Sequence, residues 1–234
     1  MATHERAPYE GMVTELVPFQ GHGGDTIYEY EARPLGPGPY PGVVVIHHMP
    51  GWDEEAKEIT RKFAAHGYVA ICPNLYYMEG PSNPKEAAAA AREAGGVPDD
   101  RCIGDVEGAV WHLRSLLSCN GMVGVIGYCS GGRQTYLAAC NIPSLDAAVD
   151  RYGGRVIAAP EQLSPTQPVT PIDMTTNLAC PLLGLFGAED RAPSPEKVAQ
   201  TEEALKSHGK TYEFHVYPDA GHSFFSVDRI GRWC

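Results

Sequence analysis

The chain has 234 residues, 43% of them apolar, and a formal charge of −11 at pH 7. A chain of that length buries roughly 70% of its unfolded surface in one core, so a single domain over 1–234 is expected. Acids and bases are mixed along it with no lysine or arginine block, which argues against nucleic acid or an anionic membrane as partner.

Residues 1–10 are polar and charged where a signal peptide needs an apolar stretch. No run approaches the ~20 apolar residues of a spanning helix. A soluble cytoplasmic protein, monomeric or a small homo-oligomer, is the expectation. The seven cysteines (72, 102, 119, 129, 140, 180 and 234) form no CxxC pair or metal-ligand spacing, so neither a disulfide framework nor a zinc cluster is expected. Most should be inert core thiols.

In chain order, two alternating segments at 12–18 and 26–32, separated by Gly-His-Gly-Gly, predict an antiparallel hairpin, and residues 1–40 read as hairpin plus a Pro/Gly turn region. Gly42-Val43-Val44-Val45-Ile46 is a continuous apolar run, the mark of a strand buried on both faces of a parallel sheet. Residues 53–66 have helical spacing closed by Gly67, and 68–73 give the next strand, completing a βαβ unit. Helices are predicted at 84–95 and 99–118, the latter with Ile103, Val106, Val110, Leu113 and Leu117 as its apolar positions. Then follow a strand at 122–126, a helix at 131–140, a strand at 146–152, a proline-bearing loop, a strand at 181–186, a helix at 194–208 and a last strand at 212–217. This order is that of a doubly wound, mostly parallel α/β sheet with helices on both faces.

Chemistry concentrates in Gly127-Tyr128-Cys129-Ser130-Gly131-Gly132, where an apolar strand runs through Gly-x-Cys-x-Gly into a helix. Glycines flank the centre because the central residue is strained and its neighbours pack closely. The helix N-terminus favours a thiolate there and an oxyanion after attack, with the Ser130 N–H as one donor. Taken alone, the motif also admits a lesser reading, a glycine-rich turn around a buried cysteine. Two further strand ends carry Asp190, in Gly187-Ala188-Glu189-Asp190, and His222, in Asp219-Ala220-Gly221-His222. Cys129, Asp190, His222 is the nucleophile–acid–histidine order of α/β hydrolases. His222 is the expected base and Asp190 the group that fixes its tautomer. Glu189 and Asp219 are the competing acids, read as solvated loop charges.

With Cys72-Pro73-Asn74-Leu75-Tyr76 and Gly221-His222-Ser223-Phe224, these motifs make residues 9–229 resemble dienelactone hydrolase (carboxymethylenebutenolidase). The resemblance implies an α/β-hydrolase fold, a Cys-His-Asp triad, no cofactor and a small ester or lactone as substrate. It also implies a second oxyanion N–H at Met49. A glutamate that helps ionise the family's thiol is matched by His48, and the arginines that hold dienelactone's carboxylate are matched by Met78 and Ser226. Dienelactone itself is therefore a poor fit.

Adjacent His47 and His48 point to opposite sides of an extended segment, so no metal is expected there. His47 is read as a core residue and His48 as facing the cleft. Trp52, Tyr76, Tyr77, Met78, Ser223 and Phe224 are candidates to line a substrate pocket, though packing residues would look the same. Only 12 residues follow His222, too few for the helix that ends this fold, so a truncated chain or a partner over that sheet face is expected. The competing functions are a cysteine thioesterase or peptidase, and a catalytically idle redox-sensing or binding module.

Overall fold

A computed structural model describes residues 11–80 and 83–226. The segment after 226, where the short end was noted, lies outside them. β1 (Met12–Gln20) and β2 (Thr26–Pro34) form the predicted antiparallel hairpin. β2 then pairs antiparallel with β4 (Val69–Pro73), and from β4 onward the sheet is parallel: β3 (Tyr40–Ile46), β5 (Cys119–Tyr128), β6 (Ala147–Arg151), β7 (Leu182–Gly187) and β8 (Tyr212–Tyr217). The strand order is β1-β2-β4-β3-β5-β6-β7-β8. After β3 the chain moves to one side to make β4 and later returns to the other side to make β5. The loops leaving β3 and β5 therefore diverge, opening a crevice at their C-terminal ends.

Five α-helices fill the crossovers: α1 (Glu54–Ala65), α2 (Pro84–Glu93), α3 (Asp99–Ser115), α4 (Ser130–Asn141) and α5 (Pro195–Ser207). The apolar run of β3 is continuous because alternate residues serve two layers. Val43 and Val45 meet Ala56 and Ile59 of α1, while Val44 and Ile46 join Val106, Val110 and Leu113 of α3 and Tyr136 of α4. Asp53 caps α1 by accepting the Ala56 N–H at 3.0 Å, and Gly67 leaves that helix at φ +87°. Among the described residues no helix is long and apolar enough to cross a membrane.

Two predicted boundaries are corrected. α3 stops at Ser115, not 118, and Leu117 is 99% exposed rather than in the core. Leu116 turns to an extended backbone, and the Ser118 carbonyl accepts the Tyr40 N–H at 2.7 Å, so sheet pairing at the start of β3 overrides the helical period. β5 consequently begins at Cys119 instead of 122. The proline-bearing loop also contains two short 3-10 helices, Pro160–Gln162 and Pro171–Asn177.

Between β2 and α3 the core holds charge. Glu29 is fully buried, and His112 Nε2 lies 3.1 Å from its Oε1 and 3.9 Å from Glu31 Oε2. Glu29 first and Glu31 second hold the imidazole's pKa up to about 9, against the opposing effect of its own burial. The unfolded imidazole titrates near 6.5, so this stabilisation is complete below that pH and is lost as pH rises through 9. Urea unfolding should therefore show His112→Gln most destabilised relative to wild type near pH 6, with the gap narrowing by pH 9.5. A gap independent of pH would show that His112 contributes no ion pair.

Candidate active site

The turn after β5 sets the geometry. Cys129 has φ 57° and ψ −115°, a left-handed backbone rarely taken by a residue with a side chain. Its N–H donates to the Arg151 carbonyl of the neighbouring strand at 3.1 Å, and its carbonyl accepts from Gly132 and Arg133 in the first turn of α4. The flanking glycines are required by contact. A Cβ on Gly127 would sit 2.0 Å from the Gly131 carbonyl oxygen, and one on Gly131 would sit 2.5 Å from that of Ile46.

The loops after β7 and β8 are fastened to each other. Ala188 and Glu189 donate their N–H groups to the carbonyls of Tyr217 and Ala220, at 2.9 and 3.0 Å. Gly187 permits this approach, since a Cβ there would lie 2.2 Å from the Ala220 oxygen. Asp190 is thereby buried, with Oδ1 accepting the Ala192 N–H at 2.8 Å and Oδ2 lying 2.8 Å from His222 Nδ1. His222 Nε2 in turn lies 3.1 Å from Cys129 Sγ. Tyr152 braces the imidazole edge-on, with ring centroids 5.3 Å apart. The Asp190 hydrogen bond first, and the one to Cys129 second, raise the His222 pKa to about 10 in spite of partial burial.

Cys129 and His222 open onto a cleft of about 810 Å³, which Ser130 and Met49 also line. Ser130 is the first residue of α4, where a backbone N–H has no partner within the helix. Met49 is anchored from behind, because the Tyr76 hydroxyl donates to its carbonyl at 3.2 Å. Tyr76 rests edge-on against buried His47, whose Nδ1 lies 3.0 Å from the His48 carbonyl. Burial lowers the His47 pKa to about 4, so it is a neutral packing residue.

The remaining candidates lie elsewhere. His48 does not line the cleft; its Nε2 is 2.9 Å from Asp53 Oδ2, at the cap of α1. Trp52 donates to the Cys72 carbonyl at 2.8 Å beneath Lys57, and Tyr77 donates to Asp25 at 2.9 Å. Phe224 is buried against Tyr152 and Tyr217. Met78 is 63% exposed, and neither it nor Ser223 or Ser226 lines the cleft. What the sequence reading missed is arginine: Arg92, Arg133, Arg155 and Arg191 all line the cleft, with Gln134 and Gln167. The only available signal was position, since Arg133 follows the Gly-x-Cys-x-Gly turn and Arg191 follows Asp190.

Of the competing acids, Glu189 is exposed on the cleft wall and Asp219 is exposed outside it. Burial pushes up the thiols of Cys72, Cys102, Cys140 and Cys180, which leaves them inert. Among the described residues one group of three donors lies close enough to share a metal ion, Glu29, Glu31 and His112. It is outside the cleft, and the charged imidazole is itself the cation there.

A family model for the dienelactone hydrolase family matches residues 27–232. The chain belongs to the dienelactone hydrolase family. It is 38% identical over 217 residues to an Escherichia coli K12 protein named "Putative carboxymethylenebutenolidase", covering 89% of this chain and 75% of that one. A Salmonella typhimurium protein of the same name is 37% identical over 224 residues, covering 92% and 78%. A crystal structure titled "Putative Dienelactone Hydrolase", from Klebsiella pneumoniae, superposes with a TM-score of 0.83 at 31% identity over 94% of this chain and 91% of that one. The doubly wound sheet is thus an α/β-hydrolase fold.

Proposed function

We propose that this chain hydrolyses a small ester or lactone through a thioacyl-enzyme, with Cys129 as nucleophile, His222 as proton carrier and Asp190 as the group that orients it. The observation that carries this reading is the unbroken relay from Asp190 Oδ2 to His222 to Cys129 Sγ, 2.8 and 3.1 Å, at the mouth of a cleft. Family membership and the relatives' names support the bond type.

In this reading the Asp190 and Cys129 hydrogen bonds favour the charged imidazole, so His222 holds the thiol's proton while the sulfur attacks the carbonyl carbon and the C=O electron pair moves onto oxygen. The Ser130 and Met49 N–H groups are the proposed donors to that oxyanion. Collapse expels the alkoxide, which takes the proton from His222. Neutral His222 then takes a proton from water as the water oxygen attacks the thioester, and collapse expels the Cys129 thiolate and releases the carboxylic acid, with the proton taken from water still on His222. Asp190 keeps Nε2 directed at the sulfur throughout.

A panel of p-nitrophenyl esters, lactones and thioesters tests the reading. Wild type should turn over at least one, and Cys129→Ala should lose on the order of a thousandfold or more in kcat. Equal rates for both proteins remove the proposal, and oxidation of Cys129 without turnover on any acyl substrate favours the redox-sensing reading. The pH profile is a second test. Chemistry needs the proton on His222, so kcat/KM should fall on the alkaline side with an apparent pKa near 10. In Asp190→Asn that limb should move toward the ordinary imidazole value of about 6.5. A limb that stays in place in Asp190→Asn would show that Asp190 does not act through His222.

A further inference from the structure

The cleft is cationic in a chain of net charge −11. Four arginines line it against two carboxylates, Glu189 and Asp190, and Asp190 is already committed to His222. Arg133 is also committed, since its guanidinium is bidentate on Asp99 at 2.7 and 3.1 Å. That leaves Arg92, Arg155 and Arg191 facing Glu189 alone.

Arg155 is only partly paired. Its Nη2 donates to the Gln162 carbonyl, while its Nε is buried without a hydrogen-bond partner. Burial and the nearby Arg133 charge both disfavour its cation. Buried polar groups are ordinarily paired, whereas Arg155 lines the cleft with a guanidinium whose pairing within the chain is incomplete. Arg191 is exposed and follows Asp190 directly, so it projects from the loop that carries the relay's carboxylate.

These arginines stand apart from positions 78 and 226, which do not line the cleft. The cleft, at about 810 Å³, is also in the range of drug-sized ligands, roughly 300–1,000 Å³, larger than a lone lactone ring requires.

Resting on the hydrolytic reading of Cys129, we propose that Arg155 and Arg191, with Arg92 on the same wall, form a subsite for an oxyanion, carboxylate or phosphate, carried by the substrate several bonds from its scissile carbonyl. The substrate class is therefore an extended anionic ester or lactone.

The test compares p-nitrophenyl hemiglutarate with p-nitrophenyl pentanoate, which are close in length and differ in the terminal carboxylate. Wild type should favour the anionic ester in kcat/KM by about tenfold or more, as expected for one charge-assisted pair. Arg155→Gln and exposed Arg191→Gln should each lower that ratio, chiefly through KM. Calorimetry of glutarate and of inorganic phosphate with Cys129→Ala protein reads the subsite without turnover. Binding of either anion, weakened in an added Arg191→Gln change, supports the subsite even if no ester is hydrolysed. Turnover of the neutral ester with no anion binding and no anionic preference overturns it while leaving the hydrolytic reading intact.

Discussion

The left-handed backbone at Cys129 is the constraint on which the cleft is built. A residue with a side chain held there costs of order 1–3 kcal/mol and persists only where its surroundings fix it. Here they do so on three sides. The Arg151 carbonyl holds the Cys129 N–H, the first turn of α4 takes its carbonyl, and Gly131 lies against the carbonyls of Ile46 and His47. That last contact ties the Cys129 turn to the end of β3, so the loop bearing Met49 and the loop bearing Cys129 are held in register. Moving one without the other would require a Cβ-free gap to open between buried backbones.

A second rigid unit opposes the first. The Asp190 and His222 loops are hydrogen-bonded to each other through Ala188 and Glu189, which ties the strand end that carries the carboxylate to the one that carries the imidazole. The units meet at the 3.1 Å contact between His222 Nε2 and Cys129 Sγ, with Tyr152 packing on the imidazole. Buried Asp150 lies beneath, accepting the Gly153 N–H at 2.8 Å and leaving no room for a side chain at Gly132. The electrostatics follow from this arrangement. An imidazole placed between a buried carboxylate and a sulfur has its charged form favoured by both, the carboxylate first.

The parts legible in the sequence were those where one pattern answers to one physical demand. Val43 to Ile46 read as a two-faced strand because both faces are covered, and Gly127, Cys129 and Gly131 read as a tight turn because only that residue order fits it. Strand-end positions then placed Asp190 and His222 on the same side as Cys129. The walls of the cleft were not legible, because the direction of a side chain beyond a strand depends on where its loop goes. Trp52 and Tyr77 found hydrogen-bond partners in Cys72 and Asp25 and turned away, whereas Arg155 and Arg191 turned in. The end of α3 was misread for a related reason, since its helical period continues into residues that the sheet claims for pairing.

The most direct measurement is to trap the acyl group. Acid quenching during the first turnover of a slowly deacylated ester such as p-nitrophenyl pivalate, followed by peptide mass spectrometry, locates the bond the enzyme makes. The account predicts one pivaloyl group on the peptide containing Cys129, removed by hydroxylamine as a thioester is. An acyl group on Ser130 or any other side chain, or release of p-nitrophenol with no acylated peptide, would contradict it.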